Sequence, residues 1–114
     1  MHELSIAISI VELAEQQARN SNAAHIEEVE LEIGALAGVD AASLAFALES
    51  SVKNTLLENA QIVWHHIHGE GCCMDCNNVF PMKSTFFSCP ACGSYVVKIV
   101  KGKEMRVKSI TVNN

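Results

Sequence analysis

Aromatic residues make up only 5% of this 114-residue chain, so any core has to be aliphatic, built from Leu, Ile, Val and Ala. No apolar run approaches the roughly eighteen residues that a bilayer-crossing helix requires, and no membrane span is expected. Met1-His2-Glu3 is not a basic leader, which argues against an export signal. Charged residues are 18% and hydrophobic residues 49%, a globular balance that excludes a disordered tail protein. The groups of common catalysts are missing too. There is no Ser/His/Asp arrangement, no phosphate-cradling glycine loop and no pair of carboxylates with an evident site, so an enzyme is not expected. Five cysteines is an odd number. In a chain without an export signal they are expected to stay reduced in the cytoplasm, which favours metal binding over a disulfide framework.

The length suits one domain with a small satellite. Charge is divided along it. Residues 1–70 carry eleven acids against two bases, Arg19 and Lys53, whereas residues 71–114 carry two acids, Asp75 and Glu104, against six bases. Two surfaces meeting different partners are expected from such asymmetry. The acidic part is unsuited to phosphate backbones, and the basic part has lysines but no dense arginine cluster, a weak case for nucleic acid.

Over 4–19 a polar stripe of Ser5, Ser9, Glu12, Gln16 and Arg19 predicts a helix. Its wide apolar arc predicts burial against both a sheet and a second helix. Asn20-Ser21-Asn22 should end it. From Ile26 the pattern alternates, with Val29, Leu31 and Ile33 on one face and Glu28, Glu30 and Glu32 on the other, a strand with one wet face. Asp40 is a fitting N-cap for a helix over roughly 41–53, with Leu44, Ala45, Leu48 and Val52 inward. Residues 60–68 and 104–113 read as two more strands, the last needing a one-residue bulge near Lys108-Ser109. The expected fold is α+β: two helices packed on a small three-stranded sheet, with an inserted zinc-ribbon-like module. The domains are drawn at 1–68 with 104–114, and at 69–103 for the module.

That module holds every cysteine. Cys73-Met74-Asp75-Cys76 and Cys89-Pro90-Ala91-Cys92 form C-x2-C-x12-C-x2-C, and each C-x2-C turn can bring two sulfurs to one ion. A single such pair reads equally as a redox dithiol; the doubled pattern favours a closed, structural tetrahedral Zn site. Gly93 can supply a positive φ in the second turn. Some thirty-five residues with few core formers cannot offset their ordering entropy by burial, whereas structural zinc contributes roughly 10–16 kcal/mol in small peptides. Cys72 is expected to be a spectator.

His2 is the other candidate. The Met1 amine, the His2 backbone nitrogen and the His2 imidazole can close consecutive chelate rings. The Glu3 amide would complete a planar N4 set of the kind Ni(II) and Cu(II) prefer. The first N–H groups of a helix have no intrahelical partners and can be given up. His66 and His68 share a strand face beside His65 and form a second candidate set, with a wet strand end as the plainer reading. His25 should simply be solvated.

The Met1-His2-Glu3-Leu4-Ser5 start, Glu32-Ile-Gly-Ala-Leu36, Ser43-Leu-Ala-Phe46, the two knuckles and the Met105–Ile110 ending together resemble the hydrogenase nickel-incorporation family (HypA/HybF). The resemblance spans the chain; Cys72, just before the first knuckle, is a departure. It implies that His2 binds nickel and that Cys73, Cys76, Cys89 and Cys92 bind zinc. It also implies a non-enzymatic metallochaperone working with an accessory GTPase, handing Ni(II) to the hydrogenase large subunit precursor and in some organisms serving urease. A monomer or homodimer is expected. The competing reading is a zinc-ribbon adaptor for nucleic acid or another protein, with an incidental N-terminal histidine.

Overall fold

A stripe of Ala7, Ile10, Val11, Ala14 and Ala18 runs buried along helix α1 (His2–Asn20), at the i, i+3, i+4, i+7, i+11 positions of one helical face. The computed structural model describes residues 2–113. Helix α1 packs on the shorter α2 (Ala41–Ser51). The buried stripe is narrower than the apolar arc in the sequence, because Leu4, Ile8 and Leu13 stay substantially exposed. The chain leaves α1 through a Schellman turn. Asn22 takes φ 57°, Ala23 N–H reaches Ala18 O at 2.9 Å and Asn22 N–H reaches Arg19 O at 3.0 Å.

Asp40 caps α2: its carboxylate accepts from Ala42 N–H at 3.1 Å and from the Ser43 hydroxyl at 2.9 Å. The Ser43 hydroxyl and the local amides hold that carboxyl below its ordinary value. Leu44 and Leu48 are buried and Val52 partly so. Ala45, expected inward, is exposed: at position i+1 from Leu44 it lies a hundred degrees round the helix.

Two three-stranded sheets follow. The first has the order β2 (Gln61–Ile67), β1 (His25–Gly34), β6 (Met105–Asn113), so the chain's last strand lies beside its first. In β1, Ile26, Val29, Leu31 and Ile33 are buried while Glu28, Glu30 and Glu32 are half-buried on the other side. The burial phase of β6 slips at Ser109-Ile110, where the sequence required an extra residue. The second sheet is antiparallel, in the order β4 (Val79–Met82), β3 (Gly69–Cys73), β5 (Val97–Lys101).

By its contacts the chain divides into two units. One takes in the chain up to Leu31, then Val39–His65, and the chain from Arg106 onward; the other is Glu32–Gly38 with His66–Met105. The second unit therefore draws a segment from far upstream. Gly34, Ala35 and Leu36 donate their N–H groups to Glu104 O, Ile67 O and Gly102 O at 2.7, 2.9 and 2.6 Å. Leu36 then enters a core with Cys73, Phe80, Met82 and Cys89, against which Val97 and Ile99 pack. Glycine is required where these segments cross: Gly102 has φ 114°, and a Cβ on Gly69 would stand 2.3 Å from Met82 O. Among the described residues no helix is long and apolar enough to cross a membrane.

Candidate metal centre

The two cysteine knuckles are built alike. Asn77 N–H bonds to Cys73 O, and Gly93 N–H to Cys89 O, both at 2.8 Å. Cys73 N–H in turn reaches Asn78 O, and Cys89 N–H reaches Ser94 O, again both at 2.8 Å. Each loop needs one left-handed residue four positions after its first cysteine. Gly93 fills it at φ 77° and Asn77 at φ 63°; asparagine is among the few side chains that tolerate that region. Gly93 is legible in the sequence, and Asn77 is its counterpart in the first loop, recognisable only from the folded backbone.

These loops bring Cys73, Cys76, Cys89 and Cys92 together, all four sulfurs lying within 4.8 Å of one another. Cys73 Sγ is 3.6 Å from Cys92 Sγ, and Cys76 Sγ is 3.6 Å from Cys89 Sγ, so each close pair joins the two knuckles. The first cysteine of each knuckle is buried and the second exposed. Further bonds clasp the loops. The Ser94 hydroxyl donates to Asp75 at 2.5 Å and accepts from Val96 N–H, while Ala91 N–H and the Asn78 amide point at Cys89 Sγ from 3.4 and 3.8 Å. Neither Ser94 nor Asn78 stood out in the sequence, since nothing in their spacing distinguishes them from loop residues.

Four thiols this close compete for charge. Burial works against ionising Cys89, yet N–H groups of Cys92 and Ala91 and the Cys76 thiol bring it down to about 6. For Cys76 the Asn78 N–H favours the thiolate, but burial and the neighbouring sulfurs prevail and push it up to about 12. Cys92 is raised as well, the Ser94 N–H being outweighed by Cys73 and burial. A divalent, thiophilic cation resolves this conflict, because it gives every thiolate a positive partner. The donor set, its tetrahedral reach and the N–H···S bonds around it fit such an ion. Cys72 takes no part. Strand alternation turns its half-buried thiol to the opposite face from Cys73, with its S–H toward Cys73 O at 3.8 Å.

The histidines are dispersed. His2 opens α1 with its side chain 59% exposed, its Nε2 3.6 Å from the Glu3 carboxylate. The same Glu3 oxygen accepts from Asp40 N–H at 3.3 Å, so Glu3 joins the starts of both helices. The Met1 amine, part of the expected chelate, lies outside the described residues. His65 is held by Glu30 at 2.6 Å, and Ser109 donates to the other Glu30 oxygen at 2.6 Å, linking all three strands of the first sheet. His65, expected beside His66 and His68 as a candidate ligand, thus has its Nε2 engaged by a carboxylate. His66 and His68 are exposed, and no third ligand group converges with them among the described residues. His25 is exposed, 3.4 Å from the Asn113 amide.

Comparison with known proteins places this arrangement in context. The family model described as hydrogenase/urease nickel incorporation, metallochaperone, hypA matches residues 1–112. The hydrogenase maturation factor HypA of Parabacteroides distasonis is 60% identical over 112 residues, covering 98% of this chain and 97% of that protein. The factor of the same name from Geotalea daltonii is 41% identical, covering 98% and 99%. Among solved structures, the Ni metallochaperone HypA from Helicobacter pylori matches with a TM-score of 0.70 at 29% identity, covering 97% of each chain. A second solution structure of a HypA protein matches with a TM-score of 0.73 at 31% identity, covering 98% and 96%.

Proposed function

This chain belongs to the HypA family of nickel metallochaperones for hydrogenase maturation, and on that premise we propose that it binds Ni(II) at its N-terminus while a structural Zn(II) occupies the four cysteines. It is a maturation factor and not an enzyme. The observation that carries the division of metals is the contrast between the two sites. The cysteines supply four sulfurs that close on one another, leaving no open position. His2 stands in solvent at a helix start beside a carboxylate, where a cargo ion can enter and leave.

In this reading the Met1 amine, the His2 backbone and imidazole nitrogens and the Glu3 amide form the planar nickel set. The Glu3 carboxylate is already engaged by Asp40 N–H, so its part is to orient His2 and to offset the positive end of α1. Cys73, Cys76, Cys89 and Cys92 hold zinc and thereby order the second unit, while the first unit carries the nickel. The exposed Phe46 lines a groove of about 610 Å³ with Glu3, Leu4 and Ser43. That groove offers a partner an apolar hold immediately beside the cargo. Delivery to the hydrogenase large subunit precursor, with an accessory GTPase and in the cytoplasm, and service to urease are the roles this architecture suits.

The test is a nickel titration by calorimetry on untagged, N-acetylated and His2→Ala proteins, with zinc content and the planar-site absorbance followed in parallel. His2→Ala and acetylation should each abolish tight nickel binding and leave about one zinc per chain. Unchanged affinity after acetylation would eliminate the amine chelate and make His2 an ordinary imidazole ligand.

A further inference from the structure

The second sheet has an outer face that its own unit leaves uncovered. On β3, Gly69, Gly71 and Cys73 are buried while Glu70 and Cys72 turn away; on β4, Phe80 and Met82 go in and Val79 and Pro81 out. On β5, Val97 and Ile99 are half-buried whereas Lys98 and Val100 are exposed. The register sets Cys72 between Val79 and Lys98, and Glu70 between Pro81 and Lys101. Just past the strand ends, Met74 and Val96 continue the same phase, joined by Met74 N–H to Val96 O at 2.9 Å. Met74, Val79, Val96 and Val100 are 56, 55, 58 and 45% exposed. Four large apolar side chains are thus gathered on one sheet face in water.

Their surroundings are basic. Lys98 and Lys101 belong to this face, and Lys83 and Lys103 follow just beyond β4 and β5. Among the described residues none of the four has an ion-pair partner, and Glu70 is the acid on the face. We propose that this face docks another protein through a segment in which aspartate or glutamate flank aliphatic side chains. Valines and a methionine would be desolvated at the centre, with the lysines paired at the rim. Nucleic acid fits less well. Residues 66–105 contain no arginine, and the aromatic ring of these strands, Phe80, is buried on the inner face where no base could stack. The surface uses neither His2 nor nickel, so it stands or falls separately from the function proposed above.

The experiment is selection of a phage-displayed random peptide library on the full, zinc-loaded, nickel-free chain. Enriched peptides should carry at least twice the library's content of Asp and Glu, interspersed with Leu, Ile or Val. A selected peptide should bind at least tenfold more weakly to Val79→Ser/Val100→Ser and to Lys98→Glu/Lys101→Glu, with zinc content and amide spectrum elsewhere unchanged. If the serine pair loses zinc, Met74→Gln, which lies outside the strands, reads the same face. Enrichment of basic or neutral peptides, equal binding by both variants, or no enrichment would overturn the proposal. Tight binding of oligothymidylate lost in those variants would assign the face to nucleic acid. A concentration-dependent dimer lost in Val79→Ser/Val100→Ser would assign it to a second copy. Either outcome rejects the acidic segment.

Discussion

The two units solve the same problem, a three-stranded sheet with one buried face, by different means. The first buries Ile26, Val29, Leu31, Leu44, Leu48 and Leu57, an aliphatic core whose removal from water opposes the entropy cost of folding. The second has Leu36, Phe80 and Met82, and the rest of its core is the buried thiols of Cys73 and Cys89. Burial holds one together; in the function proposed above, a metal bound across two knuckles holds the other. The outer faces differ as well. In the first sheet Glu30, His65 and Ser109 satisfy one another across the three strands, whereas the second leaves valines beside lysines that have no ion-pair partner among the described residues. A satisfied face is finished, and an unsatisfied one is available.

Removing the metal should break this comparison most sharply. Chelation, or Ser in place of any of Cys73, Cys76, Cys89 or Cys92, should release zinc and unfold the second unit while the first persists. Amide exchange would show the difference, because apparent zinc binding of roughly 10–16 kcal/mol exceeds what so small a core supplies. Loss of protection in both units together would mean that the first unit also depends on the ion. Cys72→Ala should keep zinc.

Next in size is a crossed pair of truncations. Leu36→Ala should cost about 2–5 kcal/mol and be felt in the second unit, although residue 36 lies between β1 and α2 in sequence. Leu31→Ala, five positions earlier, should cost a similar amount in the first unit. Exchange protection that falls in the same unit for both variants would erase the boundary between them.

The polar ladder gives a smaller, pH-dependent effect. The Ser109 hydroxyl, then His65, hold the Glu30 carboxyl below its ordinary value of 4.5. A depressed carboxyl stabilises the fold above its unfolded value, and that contribution is lost as pH falls through the lower, folded value. The window therefore lies below about pH 4.5. Glu30→Gln should flatten the acid limb of the first unit's stability there, measured by denaturant unfolding against pH. An acid limb identical to that of the parent protein would show that the ladder contributes nothing.

The knuckles provide the mildest test. Asn77 and Gly93 occupy equivalent left-handed positions, and a Cβ at Gly93 meets nothing within 4 Å. Asn77→Gly and Gly93→Asn should each change stability by about 1 kcal/mol or less, with zinc retained. Gly93→Val, β-branched at positive φ, should cost more than either. Zinc loss from Gly93→Asn would show that the two loops are not equivalent.

Some of this protein was decided locally and could be read directly. Helix α1, the Asp40 cap, the alternation of β1 and the C-x2-C pairs depend on neighbours a few residues apart, where periodicity and spacing carry the physics. The symmetry of the two C-x2-C spacings likewise marks Cys72 as a spectator, and in the fold β3 turns it to the face opposite Cys73. Nothing local marks Leu36 as part of the cysteine unit's core, since that contact depends on a chain crossing that only Gly34, Gly69 and Gly102 leave room for. Nor could sequence position show that His65 would be taken by Glu30 and Ser109, or that Met74, Val79, Val96 and Val100 would share one uncovered face. Those outcomes turn on which strands become neighbours and in what register. Pairing is set by long-range burial and backbone geometry acting together, so it appears only in the folded chain.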